Sequence, residues 1–178
     1  FGIERIIPPN IAKAKQTETT QRFKIHLITH AGEDLFTKIE FSRRGFKGEI
    51  IIEPVSDSIL RMYKLPPLLI PHYDIYSAVM QKIDALGARA IPQARDIFDL
   101  YVLSSQHQHS KAKCIKSDRS KLDRAHKRIF EISFEEFQDT VVFYLLPEDQ
   151  KTFANSDTWD EVKLKVANFL EGLRNGNC

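Results

Sequence analysis

The residues best suited to chemistry are charged side chains that fall on the apolar face of a predicted helix. From Asp74 to Arg89 apolar residues recur at helical spacing, at about 100° per residue, and occupy a narrow sector of the helix. Lys82 points into that sector, and Arg89 lies beside it two turns further on. Burying a lone ammonium group costs several kcal/mol. These cations are therefore expected to meet carboxylates, a ligand or a metal ion.

Two carboxylates follow on the next predicted helix. Asp96 and Asp99 are three positions apart and share one helix face, and Asp99 is the only charged residue between Ile97 and Leu103. Two interpretations stay open on this pattern alone. The charges form structural salt bridges between neighbouring helices, or they bind a ligand, because both arrangements place charged groups at a helix contact.

A motif that runs through both predicted helices resembles the central motif of the AbiEii/AbiGii toxin-type nucleotidyltransferase family. Its first part is Lys82-Ile-Asp-Ala-Leu-x-x-Arg89, and its second part is Arg95-Asp96-x-x-Asp99-Leu. Upstream, the segment 36–42, with Lys38-Ile-Glu40 at its centre, resembles the family's strand that carries the third acidic residue. Downstream, 132–137 and 159–162 resemble its C-terminal helices, so the resemblance covers about 23–173.

The members of this family belong to the polymerase-β-like nucleotidyltransferase superfamily and are toxins of bacterial toxin–antitoxin and phage-defence systems, and the resemblance implies the same for this chain. Such a protein would use a nucleoside triphosphate and Mg²⁺ and would transfer a nucleotide to an RNA or protein acceptor, tRNA included. An antitoxin is an implied partner. The competing interpretation is a non-catalytic module of the same fold that binds a nucleotide, an RNA or a protein.

The resemblance also implies roles for individual residues. Glu40 would bind the metal or activate the attacking hydroxyl, Lys82 would neutralise triphosphate charge, and Asp96 would orient Lys82 or the base and ribose. Secondary nucleotide contacts are expected from Lys38, Arg89 and Arg95. Asp99 is expected to be structural and to pair with Arg89. Lys38 and Glu40 should share a strand face that borders a cleft, with Lys82 reaching toward it.

The sequence departs from the family at its first motif. Such enzymes open with Gly-Ser followed by an Asp-x-Asp pair, which hold the triphosphate and two magnesium ions. The 178 residues contain no Gly-Ser, and no Asp-x-Asp precedes Glu40. Either the sequence is the C-terminal portion of a longer protein, or this family member has lost the motif. In both cases we expect this chain alone to be inactive.

Composition is that of an ordinary intracellular protein, for which a cytoplasmic location is the expectation. An apolar fraction of 42% suffices for a core, and no apolar run has the length of a membrane span. The two cysteines, Cys114 and Cys178, are far apart in the sequence and suggest neither a disulfide framework nor a zinc site.

The net charge of +2 conceals an uneven distribution. Residues 111–128 carry eight Lys or Arg against two Asp, whereas residues 131–161 carry nine acidic residues against Lys151. The basic segment is either solvated surface or a contact surface for a phosphate backbone, as in tRNA. Few aromatic residues are interleaved with it, so base stacking is not indicated.

The predicted fold is α+β, with a partial nucleotidyltransferase-type mixed or antiparallel sheet followed by a C-terminal helical bundle. Residues 1–72 would form the sheet, with 1–21 as an N-terminal arm, and residues 73–178 would form the helical region. Alternation predicts strands at 22–29, 35–41 and 50–52 and an extended piece at 66–71. Helices are predicted at 74–89, 93–105, 118–130, 133–146 and 157–174, the last two beginning with capping boxes at Ser133/Glu136 and Thr158/Glu161.

Overall fold

The computed structural model describes residues 2–43, 45, 48–109 and 118–176, and for 13, 15 and 107–109 it describes the backbone alone. The two cysteines lie outside the described residues. The architecture is α+β, as predicted, with antiparallel sheets and a helical C-terminal region. The chain divides into two compact units, Phe1–Lys47 and Gly48–Cys178. The division of roles between 1–72 and 73–178 stays a prediction.

The first unit is an antiparallel sheet built around its longest strand. Its strands are β1 (Ile3–Ile7), β2 (Lys15–Gln16), β3 (Thr20–Thr29) and β4 (Asp34–Ser42). β1 and β2 pair with successive parts of one edge of β3, and β4 pairs along the other edge. The prediction that 1–21 form an arm is therefore wrong. Pro8 and Pro9 end β1 rather than preventing it, since they lie just beyond its last residue.

The alternation of β3 and β4 separates an apolar face from a charged face, as predicted. Arg22, Lys24 and His26 of β3 lie opposite Glu40, Lys38 and Phe36 of β4. Lys38 and Glu40 therefore share one face of their strand, which confirms that part of the prediction. Apolar side chains of the other face stay partly exposed, and among the described residues of this unit only Thr29 is fully buried.

The second unit opens with a hairpin that was only partly predicted. Strands β5 (Ile50–Pro54) and β6 (Leu69–Tyr73) pair antiparallel, and helix α1 (Asp57–Tyr63) lies between them in the chain. The Ser56 side chain caps α1, and Lys64 ends it in the left-handed conformation at φ 52°. Sequence reasoning missed α1 because seven residues show too few helical repeats, and Ser-Asp-Ser is equally typical of a turn.

The remaining helices are α2 (Ile75–Ala88), α3 (Ala94–His109), α4 (Arg119–Ile129), α5 (Phe134–Thr140), α6 (Pro147–Phe153) and α7 (Ser156–Arg174). The predicted helix 133–146 is two elements, α5 and a 3₁₀ turn at Val142–Tyr144, and α6 was not predicted. Ser133 caps α5 as expected, since its hydroxyl accepts the Glu136 N–H at 3.2 Å. The Thr158 cap is wrong, because α7 begins earlier and Asn155 caps it.

The hydrophobic core lies among α2, α3, α4, α5 and α7. Trp159 stacks on Phe137 with ring centroids 4.0 Å apart, and its indole N–H donates to the Ile132 carbonyl at 3.3 Å. The predicted stripe of α7 is in this core, but Tyr144 of the predicted α5 stripe is exposed because α5 ends before it. No helix in the described part of the chain has the length and apolar character needed to cross a membrane.

Candidate nucleotide-binding site

The centre of the candidate site is a carboxylate with no exposed surface. Asp96 lies in the first turn of α3, where its N–H donates to the Gln93 carbonyl at 3.0 Å. Its side chain is 0% exposed. Lys82 Nζ of α2 lies 3.3 Å from one carboxylate oxygen, and Arg89 Nε lies 2.8 Å from the other. Each oxygen of Asp96 therefore has a cation, and both cations come from the preceding helix.

Lys82 also bonds to a second carboxylate on α3, that of Asp99. The prediction that the charges of the two helices meet is confirmed. The expected partner of Asp99 is wrong, because Asp99 pairs with Lys82 and Arg89 pairs with Asp96. The reason is the helical spacing of the two carboxylates. They lie one turn apart on α3, so one flexible lysine reaches both, whereas Arg89, at the C-cap of α2, reaches only the nearer end.

The two cations reach solvent although their common partner does not. The Lys82 side chain is 26% exposed and that of Arg89 is 37% exposed. An ammonium carries three N–H donors and a guanidinium five, so donors remain for an anion on the exposed side. The two cations and two carboxylates balance in formal charge. Arg95, which precedes Asp96 in the sequence, is exposed and has no ion-pair partner among the described residues.

Glu40 and Lys38 belong to the first unit. Glu40 Oε1 lies 2.6 Å from Arg22 Nε, and its side chain is 47% exposed. Lys38 lies directly opposite Lys24 in the strand register. Lys82 belongs to the second unit, and its predicted approach to the Glu40 face of the strand stays a prediction.

The described residues do not amount to a magnesium centre. Mg²⁺ prefers octahedral oxygen coordination, with carboxylates and phosphate oxygens among its ligands. The part of the chain that the structure describes contains no group of three or more His, Cys, Asp or Glu placed to hold a metal ion. Glu40 forms an ion pair with Arg22, and its role as a metal ligand stays a prediction.

A second charged surface lies on α4. Lys121 Nζ bonds to Asp84 Oδ1 at 2.8 Å, and Arg128 donates to the Arg89 carbonyl, so α4 contacts α2 through two of its cations. Arg124 and Lys127 are exposed and have no ion-pair partner in the described ranges. An adjacent cavity of about 200 Å³ is lined by Ile83, Asp84, Gly87, Ala88, Lys121 and Arg124. The basic residues 111, 113 and 116 lie outside the described residues.

Sequence reasoning missed two cations of the sheet, Arg22 and Lys24. Both alternate with the apolar residues of β3, so their common face was predictable. Their partners on β4 were not, because the connection after Thr29 allows several registers, each with different cross-strand pairs.

A strand carries Lys38 and Glu40, and a later helix pair carries Lys82, Arg89 and Asp96, which is the order of the segments that resemble nucleotidyltransferase-type toxins. The family described as Nucleotidyl transferase AbiEii toxin, Type IV TA system, matches residues 2–174. The chain belongs to this family, which places it among toxin–antitoxin proteins of nucleotidyltransferase type. Such proteins generally use a nucleoside triphosphate and a divalent metal. Comparison with curated proteins and with solved structures gives no match.

Proposed function

We propose that this chain binds a nucleoside triphosphate through the exposed donors of Lys82 and Arg89 and contributes to nucleotidyl transfer. The observation that carries the proposal is the buried carboxylate of Asp96, which fixes both cations while leaving them partly exposed. Fixed cations stabilise the charge that develops on phosphate oxygens without reorganising during the reaction. Family membership supports phosphates as the anion.

The proposed chemistry forms a bond between the acceptor oxygen and the α-phosphorus and breaks the bond to the pyrophosphate leaving group. Lys82 and Arg89 would contact phosphate oxygens, and Arg95 would add a further cation. Asp96 is buried and would act as a positioning residue for both. The role of Glu40, in the first unit, as the group that takes the proton of the attacking hydroxyl stays a prediction from the family resemblance. Glu40 Oε1 is held by Arg22, which leaves Oε2 for that proton.

The proposed acceptor is an RNA, with an antitoxin as a further partner. Arg124 and Lys127 on the exposed side of α4 support this choice, because neutralising phosphates is the main source of affinity for nucleic acids. Segment 131–161 carries nine acidic residues against one lysine, and it would repel a phosphate backbone.

Nucleotide binding tests the proposal directly. In isothermal titration of the 178-residue chain with ATP and GTP, Lys82→Met should weaken the preferred nucleotide about tenfold or more, equivalent to ~1.4 kcal/mol. Lys151→Met is the matched control, because Lys151 is exposed on α6 and has no ion-pair partner among the described residues. Equal affinities for the wild type and the Lys82 variant would refute the proposed site.

The non-catalytic alternative is favoured by one observation, the lack of Gly-Ser and of an early Asp-x-Asp in these 178 residues. We expect no transfer of labelled nucleotide to total RNA or protein by this chain, because it supplies one of the three expected metal carboxylates. Transfer that disappears in Glu40→Gln would overturn this expectation and show that the chain is itself an enzyme. Nucleotide binding without transfer would support the proposed contribution of Lys82 and Arg89.

A further inference from the structure

The charged face of the first sheet contains one cross-strand pair of like charges, Lys24 with Lys38. Three cross-strand pairs follow one another on β3 and β4: Arg22 with Glu40, Lys24 with Lys38, and His26 with Phe36. The first is an ion pair, and the third is a ring stack with centroids 4.6 Å apart. The middle pair places two lysines at directly opposite positions of the two strands. Like charges at such positions destabilise a sheet.

The neighbouring carboxylates do not relieve this repulsion. Glu40 is held by Arg22 at 2.6 Å, and Asp34 is held by the His26 ring at 2.5 Å. Neither Lys24 nor Lys38 has a carboxylate partner within the described ranges. Lys24 Nζ instead lies 3.9 Å from the centroid of the Phe36 ring, which holds the ammonium on this face by a cation–π contact. Positive charge is thus concentrated where the surrounding charged groups are already paired.

We propose that Lys24 and Lys38 jointly bind one phosphate group. Side chains directly opposite on an antiparallel pair have Cβ atoms about 4.5–5.5 Å apart, so two ammonium groups can reach oxygens of the same phosphate. A bound phosphate converts their repulsion into two charge-assisted hydrogen bonds. Lys24 thereby joins Lys38 as a contact for a phosphate of a nucleotide bound on the sheet. The identity of that ligand rests on the proposed function, whereas the anion site rests on the strand register alone.

Inorganic tripolyphosphate and ATP are the two probes for this site, titrated separately into the full chain. Backbone amide shifts of β3 and β4 in NMR spectra report binding on the sheet. Lys24→Gln and Lys38→Gln should each weaken tripolyphosphate binding there by about fivefold, the effect of losing one partly exposed charge pair. Lys151→Gln, on the exposed side of α6, should leave the affinity unchanged.

The unliganded sheet provides a second readout, which shows that the variants fold. Either lysine variant should slow amide hydrogen exchange in β3 and β4, because the opposed charges are removed. Unchanged tripolyphosphate affinity in both variants would overturn the phosphate site. Weakened ATP binding in Lys82→Met but not in Lys24→Gln would overturn the site as a nucleotide contact and leave the proposed function intact. Tripolyphosphate binding at the two lysines without any ATP binding would support the anion site and overturn the proposed function.

Discussion

Asp96 lies at different distances from its two cationic partners, Arg89 and Lys82. Arg89 Nε is 0.5 Å nearer to the carboxylate than Lys82 Nζ is, at 2.8 Å against 3.3 Å. Lys82 has Asp99 as a second partner, whereas Asp96 itself has no exposed surface. Removing Lys82 therefore leaves the buried carboxylate paired, and removing Asp96 leaves both cations without their common partner. Lys82 is therefore the residue of the cluster that can bind a ligand while Asp96 stays paired with Arg89.

This inequality predicts different costs for two substitutions. Lys82→Met should lower the free energy of unfolding by about 1 kcal/mol, because Arg89 still compensates Asp96. Asp96→Asn should lower it by about 2–4 kcal/mol, less than for a fully buried pair because the two cations are partly exposed. Urea unfolding followed by the fluorescence of Trp159, which lies in the same unit, measures both. Asp99→Asn, at an exposed carboxylate, is the control and should cost below about 1 kcal/mol.

The double variant Lys82→Met/Asp96→Asn distinguishes a structural salt bridge from a ligand-binding cluster. If Lys82→Met costs as much as Asp96→Asn and the double variant recovers most of the loss, the two residues are strongly coupled. Lys82 would then be a structural partner of Asp96, and its assignment as a phosphate contact would be contradicted. Nearly additive losses in the free energy of unfolding would support Lys82 as a phosphate contact.

At the residue scale, what was predictable followed from helical periodicity. Lys82 was identified because the helical wheel of α2 places it among apolar residues, where an unpaired charge is unfavourable. The exchange of partners between Asp96 and Asp99 was not predictable, because it depends on how far each side chain of α2 reaches along α3. Glu40 was assigned to a metal from the family resemblance, and its ion pair with Arg22 depends on a strand register that the sequence does not fix.

At the element scale, Gly87 lies where α2 and α4 are in close contact. A Cβ added there would lie 3.5 Å from the Lys121 carbonyl oxygen and 3.7 Å from the Ala125 nitrogen, which are ordinary contact distances. Gly87→Ala should therefore raise the free energy of unfolding by about 0.5–1 kcal/mol through helix propensity. Gly87→Leu should lower it by about 1–3 kcal/mol, because the larger side chain overpacks the helix contact.

Gly172 of α7 is the matched control for this pair of substitutions. A Cβ added there meets no atom within 4 Å, so Gly172→Ala and Gly172→Leu should both stabilise the protein. Urea unfolding of the four variants compares the two positions. Stabilisation by leucine at Gly87 as well would contradict the close approach of α2 and α4.

The start of α4 has a pH-dependent cap. The N–H of Ser120 donates to Asp118 Oδ1 at 2.9 Å, and this backbone hydrogen bond, helped by the Ser120 side chain, lowers the pKa of Asp118 below its usual value. A lowered folded-state pKa means that the cap contributes stability above the pKa of the unfolded chain. That contribution is lost as the pH falls through the folded-state pKa. The first turn of α4 should therefore loosen only in acid.

An NMR titration measures this behaviour. The side-chain carboxyl of Asp118 should titrate below its usual pKa, and the amide shift of Ser120 should follow the same curve. Asp118→Asn is the control, because asparagine caps a helix well and does not titrate, so the Ser120 amide should then be insensitive to acid. A normal pKa for Asp118 would show that the cap does not form in solution.

The elements differ in how far the sequence predicted them. Long segments with repeated periodicity, such as α2 and α7 in the helical unit and β3 in the sheet, were placed within a few residues. Four short elements, α1, α6, β1 and β2, were missed, since one or two turns or a few paired residues carry too little periodicity. α5 was predicted too long because its apolar spacing continues through Val142–Tyr144, where the backbone tightens into a 3₁₀ turn.

At the scale of the whole molecule, the two units bury apolar surface to very different extents. The buried cluster consists of side chains of the Gly48–Cys178 unit, among them Trp159, Phe137 and Leu170. The sheet of the other unit keeps Phe36 and Phe41 more than half exposed. Hydrophobic stabilisation scales with buried apolar area, so the helical unit is the better stabilised of the two. The charged cluster of Lys82, Arg89 and Asp96 is thus built on the more rigid scaffold.

The charge distribution of the whole chain gives the last prediction, which concerns the proposed RNA acceptor. Arg124→Gln and Lys127→Gln should each weaken the binding of purified bulk tRNA about equally for all sequences. Each should also reduce the slope of log affinity against log salt by about one, because one released counterion fewer accompanies binding. Lys151→Gln, in the acidic segment, should change neither quantity. Fluorescence anisotropy with labelled tRNA over a salt series measures all three variants, and an unchanged slope in both α4 variants would exclude this face of α4 as the RNA contact.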